Sequence, residues 1–305
     1  MPKNALVTGA YGFIGRHIAR RLATAGWHVS GLGHGAWSRD QWRQWGLADW
    51  HTADITLESL ITYGRDPALI VHCAGSALVG FSVSHPYQDY LRTTHTTAAA
   101  LEYVRIYAAQ AAVVLMSSAA VYGHAQGFPI GEAAPLRPIS PYGVHKRMAE
   151  ELCQSYARQY EVRAAVVRFF SVYGPGLRKQ LLWDACNGLA RGEGEFGGTG
   201  AERRDWLHVD DGASLVVTAA EHASSSCPIV NGGSGSSPTV REVLEHLAER
   251  VDKAGSVRFS GAVRPGDPNR YEADISLARS WGWRPTVDWR SGVDAFASWF
   301  KAGAV

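Results

Sequence analysis

An apolar run, then Thr8-Gly9-Ala10-Tyr11-Gly12-Phe13-Ile14-Gly15, then a helix-patterned stretch open the chain. No other feature restricts the fold as much. Gly9 allows a tight turn, Gly12 lets a backbone or a phosphate approach closely, and Gly15 lets the following helix lie against the strand. The spacing predicts a strand over 4–8, a helix over 13–25 and a second strand over 27–32. Further strands are predicted at 69–72, 112–117 and 162–168, with helical stretches between them. Long amphipathic helices are read over 87–109 and 142–160, the second opened by Pro141. Strand and helix in alternation give an α/β fold, a doubly wound parallel sheet of Rossmann type.

After Arg168 the rhythm loosens. Gly174-Pro175-Gly176 breaks the chain, and a helix is expected over 180–190. A Gly-rich loop over 192–200, a strand at 205–208 and a helix from Asp210 follow. The run 228–231 is expected to return to the main sheet, and 240–251 to form a helix. The expected division is a dinucleotide-binding domain of 1–170 and 207–236, and a smaller C-terminal substrate-binding lobe of 171–206 and 237–305.

The net charge of +2 gives no electrostatic case for nucleic acid or a membrane surface. Cys73, Cys153, Cys186 and Cys227 are scattered without metal-ligand or disulfide spacing, so no metal is expected and a reduced, cytoplasmic setting fits. The first apolar residues run straight into the glycine turn, so no signal peptide is expected.

Two later stretches carry the chemistry. Ser118 lies in Ser117-Ser118-Ala119-Ala120-Val121-Tyr122-Gly123, and Tyr142 and Lys146 lie in Pro141-Tyr142-Gly143-Val144-His145-Lys146. Four residues apart on a helix, Tyr142 and Lys146 share a face. The Lys146 cation is expected to lower the Tyr142 pKa, so that the phenol exchanges a proton near neutral pH. Ser118 could hold a substrate oxygen against it. The glycine turn, placed between strand and helix, is suited to a pyrophosphate.

An acidic residue closing the second strand would hold the ribose hydroxyls of NAD. Gly33 stands there instead, and no carboxylate precedes Asp40. His34, Arg39 or Arg43 could meet a 2′-phosphate, so NADP is favoured and NAD is the alternative. Asp54, in Ala53-Asp54-Ile55, is placed to take the adenine amino group.

Together these motifs resemble the extended short-chain dehydrogenase/reductase family, specifically its nucleotide-sugar epimerases, dehydratases and reductases. TGAYGFIG, HCAGSA, SSAAVYG, SPYGVHK, RFFSVYGPG, RRDWLHVDD and RPGDPNRYEAD carry the resemblance in order over nearly the whole chain. It implies that Ser118 binds the sugar oxygen at C4, that Tyr142 is the general acid/base, and that Lys146 binds the nicotinamide ribose and tunes Tyr142. Tyr11, Phe13 and Ile14 would line the pyrophosphate turn, with Ile55 beside Asp54 at the adenine. Cys73, Ala74, Gly75 and Ser76 would run under the cofactor, and Phe170 would touch its nicotinamide end. Arg204 and Arg264 would grip the substrate diphosphate, as guanidinium forks do. Three positions depart from the pattern. Thr93 stands at the cofactor where many members have Asn, Ala77 replaces a Lys of some epimerases, and Ser171 replaces an Asn facing substrate.

The departures bear on the reaction. Sugar dehydratases of the family carry an acid/base carboxylate just after the catalytic hydroxyl, where this chain has Ala119 and Ala120. The Cys of enzymes that also epimerise C3 and C5 is absent too. Two reactions need only Ser, Tyr and Lys. The missing ribose-binding acid tilts the reading to reduction of a nucleoside-diphosphate 4-keto-6-deoxy-hexose. The alternative is a 4-epimerase with retained NAD. A dinucleotide-binding sensor without catalysis is disfavoured by the intact Tyr-Lys pair, and a non-sugar ketone reductase by the two arginines. The resemblance also implies a homodimer paired through the helices at 87–109 and 142–160. Base selection is expected from 177–184 and 194–200.

Overall fold

The computed structural model describes residues 3–253, 255–262 and 270–303. Two compact units emerge. The first comprises Met1–His124, Glu132–Phe169 and Gly212–Asn231; the second comprises Ala125–Gly131, Phe170–Asp211 and Gly232–Val305.

The first unit alternates strand and helix: β1 (Asn4–Thr8), α1 (Phe13–Thr24), β2 (His28–Gly33), α2 (Arg39–Gln44), β3 (Leu47–Thr52), α3 (Leu57–Tyr63) and β4 (Leu69–His72). Then come α4 (Val79–Ser84), α5 (Pro86–Tyr90), α6 (Thr96–Tyr107), β5 (Ala112–Ser118), α7 (Pro141–Tyr160) and β6 (Arg163–Phe169). The sheet runs β10-β6-β5-β4-β1-β2-β3, with β10 being Ile229–Gly232. Every neighbouring pair from β3 to β6 is parallel. The chain winds outward from β1 to β3 and then restarts at β4 on the other side of β1. That reversal is where α/β sheets open a crevice at the carboxyl ends of their strands.

Apolar burial explains the layers. Strands β1 and β4 are buried along nearly their whole length, as a sheet covered on both faces requires. Helix α7 starts at Pro141, with Ser140 Oγ accepting from the Gly143 amide at 3.2 Å. Its inward stripe reads Lys146, Ala149, Glu150, Cys153 and Ala157. Two charged groups therefore sit on a face that periodicity assigns to the core.

The expected helix over 87–109 is interrupted. Helix α5 passes into a π-helical turn at Leu91–His95 before α6 begins. Thr93, Thr94, Thr96 and Thr97 crowd this turn, and β-branched residues are poor α-helix formers. The Thr96 hydroxyl donates to Arg92 O and the Thr97 hydroxyl to Thr93 O, each at 2.7 Å. The wide turn puts Thr93 and Thr94 into the interior.

The second unit contains β7 (Ser171–Tyr173), α8 (Gln180–Ala190), β8 (Glu195–Phe196), β9 (Trp206–His208), α10 (Val240–Arg250), β11 (Arg258–Phe259), α11 (Ser276–Ser280) and α12 (Trp289–Lys301). Helix α9 is Val209–Glu221. Strand β7 pairs with β9 and β8 with β11, so the Gly-rich stretch 192–200 holds a short strand rather than loop alone. Asp205 anchors this unit. Its buried carboxylate accepts from Ser234 N and Oγ, Gly235 N and Ala273 N. No helix among the described residues is long and apolar enough to cross a membrane.

Candidate active site

The glycine turn sits at the sheet's switch point. Gly9 has φ +67°, and a side chain there would meet Ala74 N at 2.8 Å. A side chain at Gly15 would collide with Gly9 O. Helix α1 has no side-chain cap at Gly12, so its first amides are available to an anion. Tyr11 and Gly12 are exposed, and Phe13 and Ile14 half-buried, around this cradle. The strip Cys73, Ala74, Gly75 and Ser76 leaves β4 beside it. Thr8 Oγ1 accepts from the Ala74 amide at 3.3 Å and lies 2.9 Å from His72 Nδ1. Burial, and then the Lys146 charge, push His72 down to about 3, so this histidine is a neutral strut. Thr93 Oγ1 accepts from Ser76 N at 3.3 Å, tying the strip to the π turn.

Ser118 ends β5, and its Oγ accepts from Ala120 N at 3.2 Å. Its own proton remains to donate, and the hydroxyl acts on the Tyr142 phenol by drawing its pKa down. Tyr142 N donates to Ser82 Oγ at 3.0 Å, fixing the start of α7. Lys146 is 6% exposed; its Nζ donates to Met116 O at 2.8 Å and lies 5.8 Å from the Tyr142 ring centroid. A side chain at Gly75 would come within 3.4 Å of that Nζ, so the Cys73–Ser76 strip and the lysine adjoin. Burial lowers Lys146 to about 8, while Asp89, Cys73 and Glu150 hold it up. Burial raises Cys73 to about 12, leaving a neutral thiol.

One electrostatic expectation is not met. Burial raises the Tyr142 phenol, the Ser118 hydrogen bond pulls it down, and Asp89 raises it again. The depression expected from Lys146 does not govern Tyr142 in the protein alone. The buried ammonium acts instead on His72 and Cys73.

The adenosine end also departs from expectation. Gly33 closes β2 at φ +150°, and a side chain there would press on Gly9 N at 3.2 Å. The position lacks a carboxylate because it lacks room for one without strain. His34 Nε2 lies 2.7 Å from Asp54 Oδ1. The pair brings together two residues named for the adenosine end, both largely exposed. Arg39 opens α2 on the exposed surface. Ile55 is buried beside Asp54.

The second unit carries a cavity of about 630 Å³, in the range of small-molecule sites. Ser171, Tyr173, Gln180, Phe196, Arg204 and Trp206 are among its walls. Arg204 Nη1 donates to Arg203 O at 2.9 Å. Phe170 packs edge-on against Tyr271, with centroids 5.9 Å apart. Arg264 lies outside the described residues. Sequence reasoning missed Ser82, Thr94, Asp89 and the role of His145. Thr94 Oγ1 donates to His145 O at 3.2 Å, and Asp89 Oδ2 accepts from His145 Nδ1 at 2.6 Å. Only the unusual His145 inside the Tyr-Lys motif could have signalled them.

Known proteins share this fold. The model of the NAD dependent epimerase/dehydratase family matches residues 5–233. A putative UDP-glucose 4-epimerase of Methanocaldococcus jannaschii is 29% identical over 304 residues, covering 97% of this chain and 98% of its own. The UDP-glucose 4-epimerase of Thermotoga maritima, solved with UDP-glucose, has a TM-score of 0.88 at 25% identity, covering 98% of this chain and 99% of its own. The UDP-glucuronic acid 4-epimerase of Bacillus cereus, solved with UDP-glucuronic acid and NAD, has a TM-score of 0.86 at 26% identity, with the same coverage.

Proposed function

The chain belongs to the NAD-dependent epimerase/dehydratase family, and from that premise we propose that it inverts C4 of a UDP-sugar with a retained NAD. It is an enzyme acting at sugar C4. The carrying observation is that Ser118 ends β5 while Tyr142 and Lys146 share the first turns of α7, with Lys146 Nζ 5.8 Å from the Tyr142 ring centroid and no carboxylate at 119 or 120. This reading replaces the expected 4-keto reductase and its NADP. The related enzymes are 4-epimerases, and the Bacillus cereus enzyme holds NAD. The missing acid at Gly33, which had favoured the reductase, is explained by backbone crowding.

The glycine cradle fits a pyrophosphate. Gly9, Gly12 and Gly15 would lie against it, with Cys73–Ser76 and Thr93 alongside and Lys146 at the ribose. Bound there, NAD supplies the hydride acceptor that C4 oxidation needs. Ser118 Oγ orients the C4 hydroxyl. Tyr142 Oη takes its proton and returns it after the sugar has presented its other face. Lys146 places a positive charge beside the phenolate as it forms. The cavity of the second unit is proposed to hold the UDP moiety, with Arg204 on the diphosphate and Ser171 also in its wall. Helices α6 and α7 leave Ile106, Tyr107, Val144 and Met148 exposed, and a homodimer through this face is proposed. Sedimentation at micromolar concentration should give twice the 33.1 kDa chain mass.

Denaturing the purified protein and identifying the released nucleotide by mass spectrometry tests the reading. One NAD or NADH per chain is expected. An empty protein that binds NADPH better than NADH would overturn it. Gly9→Ala should emerge with little or no NAD and a lower Tm, because its side chain strikes Ala74 N. Arg204→Ala should raise KM for the UDP-sugar by about tenfold or more, the loss of a charge-assisted pair, with kcat nearly kept. An unchanged KM would remove the diphosphate role.

A further inference from the structure

Asp89, on α5, is fully buried (0% exposed) beside the proposed proton-transfer residues, and no step above uses it. Its Oδ2 accepts from His145 Nδ1 at 2.6 Å. Its Oδ1 is buried with no hydrogen-bond partner among the described residues. A carboxylate held in this way is costly, and the cost calls for an explanation. His145 stands between Tyr142 and Lys146 on the first turns of α7. Its carbonyl accepts from Thr94 Oγ1, and its ring meets the edge of Tyr90 at 5.8 Å.

We propose that Asp89 and His145 are positioning residues for proton transfer at Tyr142: the buried carboxylate clamps the first turns of α7 through His145 and keeps a negative charge within reach of Tyr142 and Lys146. The inference rests on the roles given above to Ser118, Tyr142 and Lys146. Two effects follow from the geometry. The clamp fixes the direction of the Tyr142 phenol and of the Lys146 chain, which leave the same helix turns. The charge helps Lys146 stay protonated against its burial, alongside Cys73 and Glu150, and it keeps the proton on Tyr142 until substrate offers an exchange.

The other charged or titratable groups around the pair are few. His85 precedes α5 and accepts at its carbonyl from Asp89 N at 3.0 Å. Tyr90 follows on α5, and Arg92 and His95 of the π turn are exposed. Helix α4 has no charged side chain. Helix α7 contributes Tyr142, Lys146 and, one turn on, the buried Glu150, whose carboxylate is paired with Arg168. Asp89 is thus the buried carboxylate beside the Tyr-Lys pair that has no guanidinium partner among the described residues.

The test uses two readings on the NAD-loaded full chain. Competitive acetylation followed by mass spectrometry across pH gives the titration midpoint of Lys146, one of five lysines. The pH–rate profile of C4 epimerisation gives the acid limb set by Tyr142. Asp89→Asn should move both toward acid by roughly half a pH unit or more. His145→Gln keeps the carboxylate and should leave the Lys146 midpoint where it is or raise it. A folded Asp89→Asn protein with both readings unchanged would overturn the proposal. So would a His145→Gln protein that shifts as Asp89→Asn does. A wild-type protein without epimerase activity would count against the proposed function only, and the Lys146 titration would still decide the role of Asp89. If Asp89→Asn does not fold, the double variant Asp89→Leu, His145→Phe replaces both polar partners with apolar ones and is read in the same way.

Discussion

Tyr142→Phe is expected to lower kcat for C4 epimerisation by about 10²–10⁴-fold, the usual contribution of a positioned acid/base. Retained NAD and KM for the UDP-sugar should change little. The ring stays in its place, because its position is set by the Ser82 contact to Tyr142 N and by the start of α7 at Pro141. Only the oxygen that moves the proton is lost. The wild-type profile should rise with pH on its acid side, because burial holds the phenol above its ordinary value and the proton-accepting form becomes more abundant as pH rises. A Tyr142→Phe enzyme with near wild-type kcat would mean that another group moves the proton.

Glu150→Gln is expected to lower unfolding stability by about 3–5 kcal/mol, the cost of leaving a buried charge without its partner. Glu150 and Arg168 are each 2% exposed. Arg168 Nη2 donates to Glu150 Oε2 at 2.7 Å and its Nε to Oε1 at 3.0 Å, while Ser117 Oγ donates to the same Oε1 at 2.5 Å. Arg168 Nη1 continues to Tyr122 Oη at 3.0 Å, and Tyr122 donates to Asn231 Oδ1 at 2.6 Å. The network thus joins β5, α7, β6 and β10. Burial works against the Arg168 charge, but Glu150 and Tyr122 outweigh it and raise its pKa. Replacing both partners, as Glu150→Leu with Arg168→Met, should restore part of the loss, because no unpaired charge then remains. Urea unfolding of the three proteins measures this. Equal stability of Glu150→Gln and wild type would mean that water already reaches the pair.

The parts of the site legible in the sequence are those set by local geometry. The glycine turn is written in three consecutive constraints at Gly9, Gly12 and Gly15. The Tyr142–Lys146 pair needs only a helical repeat. The parallel sheet follows from the alternation of elements, and β10 joins β6 as the run at 228–231 suggests. What was not legible depends on contacts far apart in the chain. Asp89 and His145 are 56 positions apart, and Ser117 and Glu150 are 33 apart; neither pairing has a local signature. The π turn was hidden because Thr93, Thr94, Thr96 and Thr97 read as ordinary members of an amphipathic repeat, although their hydroxyls compete for backbone carbonyls. The missing acid at Gly33 was read as a sign of phosphate binding. A side chain there would be strained: φ +150° disfavours it, and its Cβ would stand 3.2 Å from Gly9 N.

Incubating the purified protein with UDP-glucose, with no nicotinamide added, and following the sugar signals by proton NMR is the most direct measurement of the central claim. The C4 epimer should accumulate to an equilibrium mixture over many turnovers. UDP-glucuronic acid offered in the same way extends the test to a second sugar. Failure of either sugar to epimerise, together with steady NADPH consumption on a 4-keto sugar, would contradict a 4-epimerase with retained NAD.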